Sequence, residues 1–296
     1  VNTGTLDQGS GPAQAFAGLE SLQGDSDNDT FAFNGGSMQG GVDGGAGTDL
    51  LNYTGAAGAV VVNLNDSSAT GVGTSYAGIE GMVGNGPDSQ LIGNAAGSIW
   101  TIGADINDSN VDGFAFDNVA TLTGGAGVDT FNVNANNVDV LSANGGAGND
   151  IFNVQADSVA ALLGGAGADT FAVKEGFTSN SINGGADLDV LAALGDAGTD
   201  NTWSITGVNT GTLDQGAGPA QAFAGLESLQ GDSDNDTFAF NGGSMQGGID
   251  GGTGADLLDY TGAAGAVAVN LNGSSATGVG TSFVSVEGMI GNGAGS

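Results

Sequence analysis

The residues of this chain that could do chemistry are acids set in glycine. A Gly-Gly-Ala-Gly-X-Asp pattern recurs with small variations from Gly44, Gly124, Gly145, Gly164, Gly184 and Gly251, and looser copies start at Gly24 and Gly231. Its acidic position is Asp49, Asp129, Asp150, Asp169 and Asp256, joined in the looser copies by Asp29, Asp189 and Asp236. Glycine reaches the positive φ angles that turn main-chain carbonyls inward. Each copy therefore brings a carboxylate and several carbonyls to one turn, which is an all-oxygen donor set. Stacked carboxylates of like charge repel unless a cation stands between them. The plainer reading is a turn in which Asp caps its own backbone, although three glycines and an Asp at one set of offsets exceed what a bare turn needs.

Other chemistry is narrowed by composition. Among 296 residues there are 33 Asp plus Glu, one basic residue (Lys174), no His and no Cys, for a formal net charge of −32. Imidazole and thiolate ligands are absent, and so is the usual general base. Any metal must be held by oxygen. Nucleic acid and anionic membrane are repelled along the whole length, and no apolar run approaches the roughly 20 residues that span a bilayer. Enzymes that process anionic sugars on repetitive β folds need basic groups, so no enzyme activity is expected. A stray carboxylate pair carries no weight in so acidic a chain. Trp100 and Trp203 read as core strand residues. Glu80, Glu227 and Glu287 recur in a shared Phe/Tyr-x-x-apolar-Glu context and read as solvated or turn-bonded. A Thr column suited to ice binding is interrupted by Leu50, Ile151, Val190 and Leu257.

The elements that position these acids follow from two nested repeats. Residues 1–89 return almost unchanged as 208–296, an offset of 207, and 90–207 is the remainder of that unit. Inside it the glycine turns recur about every 20 residues, provided that Gly84 to Asp88 counts as a degenerate turn. The 184-to-231 gap carries a surplus, assigned to 208–222, and Gly195 to Asp200 reads as the remnant of a turn on the opposite side. Apolar residues sit two before the first glycine (Val42, Met82, Leu122, Leu162, Ile182, Leu229, Ile249), and seven and nine after it (such as Phe131 and Val133, or Phe152 and Val154). That period of two marks half-buried strands. With Gly costing about 1 kcal/mol in a helix interior, the expected fold is all-β: one continuous parallel β-solenoid over 1–296, of β-roll or β-helix type, with turns of about 20 residues.

GGAGTDLLN from Gly44, GGAGVDTFN from Gly124, GGAGNDIFN from Gly145 and GGAGADTFA from Gly164 resemble the GGxGxDxUx nonapeptide of RTX proteins. That resemblance implies Ca²⁺ between stacked turns, held by the turn carbonyls and the eight Asp named above. The longer period and the long duplicated unit resemble giant bacterial repeat adhesins of the filamentous haemagglutinin type. Together they imply a calcium-stiffened stalk or fibre of a large secreted surface protein, extracellular or at the cell surface, serving adhesion, biofilm or coating. The alternative is a self-assembling filament or surface layer, and an ice-binding or polysaccharide-active protein comes behind both. Implied partners are calcium, further copies of the chain, and cell-surface or matrix ligands reached through other parts of a longer polypeptide. Both ends read as open edges that continue into such a polypeptide or onto another copy.

Overall fold

With one residue in five glycine and apolar residues at alternate positions, these segments sustain strands and little else. Every regular element among the described residues is a β-strand. The computed structural model describes residues 2–6, 14–135, 137, 139–157, 161–177, 179, 181–195, 198–216 and 218–293.

Most strands belong to one 24-stranded, mainly parallel sheet. Its regular part shows why the pattern works. Thr130–Val133, Ile151–Val154, Thr170–Lys174 and Val190–Leu194 lie side by side, with Phe131 opposite Phe152, Phe152 opposite Phe171, and Phe171 opposite Leu191. A second parallel series aligns Leu122, Ala143, Leu162 and Ile182. Because paired positions lie 19 to 21 residues apart in sequence, like residues fall on like residues.

The core is the inward row of both series. All seven apolar residues named two before the first glycine are buried, as are the pairs seven and nine after it except at Gly24, where Phe31 is half-buried. Parallel strands separated by about 4.8 Å leave flat rings no choice but to stack. Trp100 lies on Phe131 with centroids 5.2 Å apart, Phe131 on Phe152 at 4.8 Å, and Phe152 on Phe171 at 4.6 Å, all within 7° of parallel. Trp203 stacks on Phe238 in the same way.

The 20-residue period does not hold throughout. Gly84 to Asp88 is no turn: it lies inside the strand Gly81–Ile92, held between Leu50–Asn52 and Val60–Asn63 on one side and Phe114–Thr123 on the other. Its surplus residues are absorbed by register shifts at Val83/Gly86 and Gly86/Gln90, the behaviour of bulges. Neighbours here are therefore further apart in sequence, as in Leu51 with Met82 and Met82 with Phe116. Antiparallel excursions fill the difference, including Val60–Asn63 with Ser68–Ala69 and Asn110–Val111 with Phe114–Thr123. The surplus before Gly231 is likewise a hairpin, Thr202–Gly207 with Thr210–Asp214, extended by Gln221–Ala224.

Candidate functional site: the carboxylate column

At each motif the chain leaves the glycine turn through the Asp and enters a strand. The Asp therefore sits where one repeat meets the next. Its main-chain amide donates to the side chain of the Asp one repeat later: Asp29 to Asp49 Oδ1 at 2.6 Å, Asp129 to Asp150 and Asp150 to Asp169 at 2.7 Å, Asp169 to Asp189 at 2.8 Å, and Asp236 to Asp256 at 2.7 Å. Its carbonyl accepts the amide of the residue that follows that next Asp, as from Ile151 to Asp129 and from Thr170 to Asp150. Sequence-predicted acids are thus brought together in three runs: 29 with 49, then 129 through 189, and 236 with 256. Asp49 does not meet Asp129, nor Asp189 Asp236.

Each run closes on a glutamate. The amides of Asp49, Asp189 and Asp256 donate to Oε2 of Glu80, Glu227 and Glu287, each at 2.8 Å. These three Glu are turn-bonded, as one of the two expectations had it, and are members of the column; Glu227 is buried, Glu80 half-buried and Glu287 exposed. Their extra methylene fits segments that reach the site after a longer excursion. Ser98 heads the central run, giving its amide to Asp129 Oδ1 at 2.8 Å while its Oγ takes the amide of Asn94. Asn201 stands before Asp236 and its carbonyl accepts from Thr237, but the carboxylate-to-amide bond is not made there, Asp236 Oδ1 having no hydrogen-bond partner among the described residues. Gly198 to Asp200 accordingly lie beside the turn at Gly231, where Gly198 donates to Asp234 Oδ2 and Asn235 to Asp200 Oδ1, and not on an opposite side; residues 196 and 197 of that predicted remnant lie outside the described residues. The recurrence of the Glu motif could have signalled the closing role, and Ser98 and Asn201 each stand two residues before a core tryptophan, Trp100 and Trp203, as Asp129 stands two before Phe131.

The second carboxylate oxygen has two fates. In Asp29, Asp129 and Asp236, Oδ2 accepts the amide of the turn's second residue (Asp25, Gly125, Asp232). Where Asp43, Asn144 or Asp250 precedes the first glycine, that side chain takes the amide instead. Among the described residues Oδ2 of Asp49, Asp150, Asp169, Asp189 and Asp256 finds no hydrogen-bond partner.

Seven of the eight Asp are fully buried, Asp29 being half-buried. Loss of water pushes the carboxyls of Asp150, Asp169 and Asp236 up to about 6 and that of Asp189 to about 7, the neighbouring carboxylates adding to the rise. Asp129 and Asp256 move the same way.

The first glycine is needed for space. A Cβ on Gly44, Gly124, Gly145, Gly164, Gly184 or Gly251 would run into Oδ2 of its own Asp and into a main-chain carbonyl of the next repeat. The later glycines serve conformation instead: Gly146 and Gly148 have φ of +102° and +124°.

These facts decide how the turn suits the Ca²⁺ that its motif implies. The ion requires six to eight oxygens. Oδ1 of Asp150 is committed to the Asp129 amide, Gly125 O to Ala147 and Ala166 O to Gly148. A Cβ built on the first glycine would meet that Asp's Oδ2 together with one main-chain carbonyl. Among the described residues no three acidic side chains converge as a metal cage would. As arranged here, the donors do not fit the ion.

No protein-family model matches the chain, and no curated protein matches it.

Proposed function

We propose that the chain is a structural segment, a parallel β-solenoid rod belonging to a large secreted bacterial surface protein that serves adhesion, biofilm formation or cell coating. The observation that carries this reading is that one contact set is reused from repeat to repeat: a stacked ring inside, a carboxylate-to-amide bond at the turn. Such an object transmits length and stiffness, since each repeat rests on its neighbours. The resemblance to RTX and haemagglutinin-type repeats supports the secreted, surface setting, and the charge of −32 suits a fibre that stays dispersed.

Two measurements test it. Small-angle scattering of the purified chain should follow the form of a stiff rod, and a compact spherical profile would refute the solenoid. Immunogold labelling of intact producing cells with antibody to this chain should decorate the exterior; label confined to the interior would refute the surface role.

A further inference from the structure

We infer that the acidic column is a metal-independent register ladder, in which each repeat offers a carboxylate to the backbone amide one repeat earlier, and that Glu80, Glu227 and Glu287 are the positioning residues that close it. The inference concerns how neighbouring repeats are locked together, and it holds whatever surface the protein serves.

The first argument is that the same bond is made by two residue types. Asp supplies Oδ1 from 19 to 21 residues away within a run and from 31 at the head of the central one, where the donor is Ser98, and Glu supplies Oε2 from 31 to 38 residues away; in the other eight of these bonds the amide is that of a motif Asp. A cage for an ion would need its full set of oxygens kept at each level. What recurs here is one acceptor for one amide. A buried amide without a partner is costly, which explains why the position is filled in every run.

The second argument is where that amide lies. It belongs to the last turn residue, one place before the parallel ladder begins, so the main chain of the next repeat has not yet come into register to accept it. The side chain supplies the missing rung. With the Asp carbonyl accepting from the next repeat, as Asp169 does from Val190, the turn is pinned at two consecutive groups. A slip of one residue would break both.

The third argument is Ser98. At the head of its run it donates the column's amide bond to Asp129 and is itself uncharged. Charge is thus no requirement for membership; an acceptor is, wherever an earlier amide must be met.

The experiment uses the full chain and four variants, Asp169→Asn, Asp169→Ala, Glu227→Gln and Glu227→Ala. Thermal melts are recorded in EDTA and in Ca²⁺ or Mg²⁺ at equal concentration, together with Ca²⁺ titration calorimetry and amide exchange at Asp150 and Asp189. We expect equal melting temperatures in Ca²⁺ and Mg²⁺ and no saturable Ca²⁺ uptake. The Asn and Gln variants, which keep an acceptor oxygen, should retain slow exchange at the amide they serve. The Ala variants should exchange there about tenfold faster or more. Should an Ala variant fail to fold, the Asn and Gln variants still decide the matter. Saturable Ca²⁺ binding that raises the melting temperature above the Mg²⁺ value and is lost in Asp169→Asn would overturn the inference. So would unchanged exchange at Asp150 in a folded Asp169→Ala, or at Asp189 in a folded Glu227→Ala.

Discussion

Phe152 lies flat on Phe171, ring centroids 4.6 Å apart and planes 7° from parallel, because Phe152 and Phe171 are directly opposed in a parallel pair. The ring spacing is close to the strand spacing, so the stack follows from register and reports on it.

Removing one ring from the middle of this stack should therefore cost more than removing one from a partly covered position. Phe152→Ala leaves a cavity between two buried rings and should cost about 3 to 5 kcal/mol. Phe31→Ala, at a half-buried site, should cost distinctly less. Chemical denaturation of both variants checks the order; equal losses would mean that the stack is not the main source of cohesion.

Gly145→Ala and Gly58→Ala form a second contrast. A methyl on Gly145 meets Asp150 Oδ2 and the Gly164 carbonyl, whereas nothing stands within 4 Å of one on Gly58. The first should destabilise by about 1 to 3 kcal/mol, as overpacking does, and the second should change little. Paired melting curves give the answer.

Stability should fall as pH rises. Asp150, Asp169 and Asp236 titrate near 6 and Asp189 near 7 in the folded chain, against an ordinary 3.8. A raised folded value means that the native state holds the proton more tightly, so this contribution is fully present below about 4 and lost between about 4 and 7. Melting temperatures at pH 4.5 and 8 should differ in that direction, and Asp189→Asn should flatten the profile in its upper half. A steeper or unchanged slope in that variant would contradict the assignment.

Monovalent salt should raise the melting temperature. A net charge of −32 repels itself across the whole surface, and screening at about 0.15 M shortens that repulsion to about 8 Å. A melting temperature flat from low to moderate salt would show that surface repulsion is negligible beside the packing.

Much of the fold was legible from residue order alone. Alternating Phe and Val at fixed offsets from a glycine turn could only be half-buried strands, and every one of those core positions in the regular region is buried as its offset implies. The grouping of Asp129, Asp150, Asp169 and Asp189 was equally legible, since a constant period places equivalent residues side by side. The stretch 44–124 was not. Gly84-Asn85-Gly86-Pro87-Asp88 has the composition of a turn, yet it continues the strand Gly81–Ile92, because Gly81–Val83 and Gln90–Ile92 at its flanks are paired on both sides and Gly86 between them pairs with Val119. Local propensity lost to pairing there.

The sequence by itself determined which side chains face inward and which residues make the turns, because period and glycine placement act over a few residues. Tertiary structure alone decided what the acids bind. Oδ1 of Asp169 meets the amide of Asp150, and Glu227, 38 residues beyond Asp189, closes the run. Such a partnership depends on how much chain is spent in the excursion between two levels. Only pairing between levels, where each backbone amide must find an acceptor, sets that length.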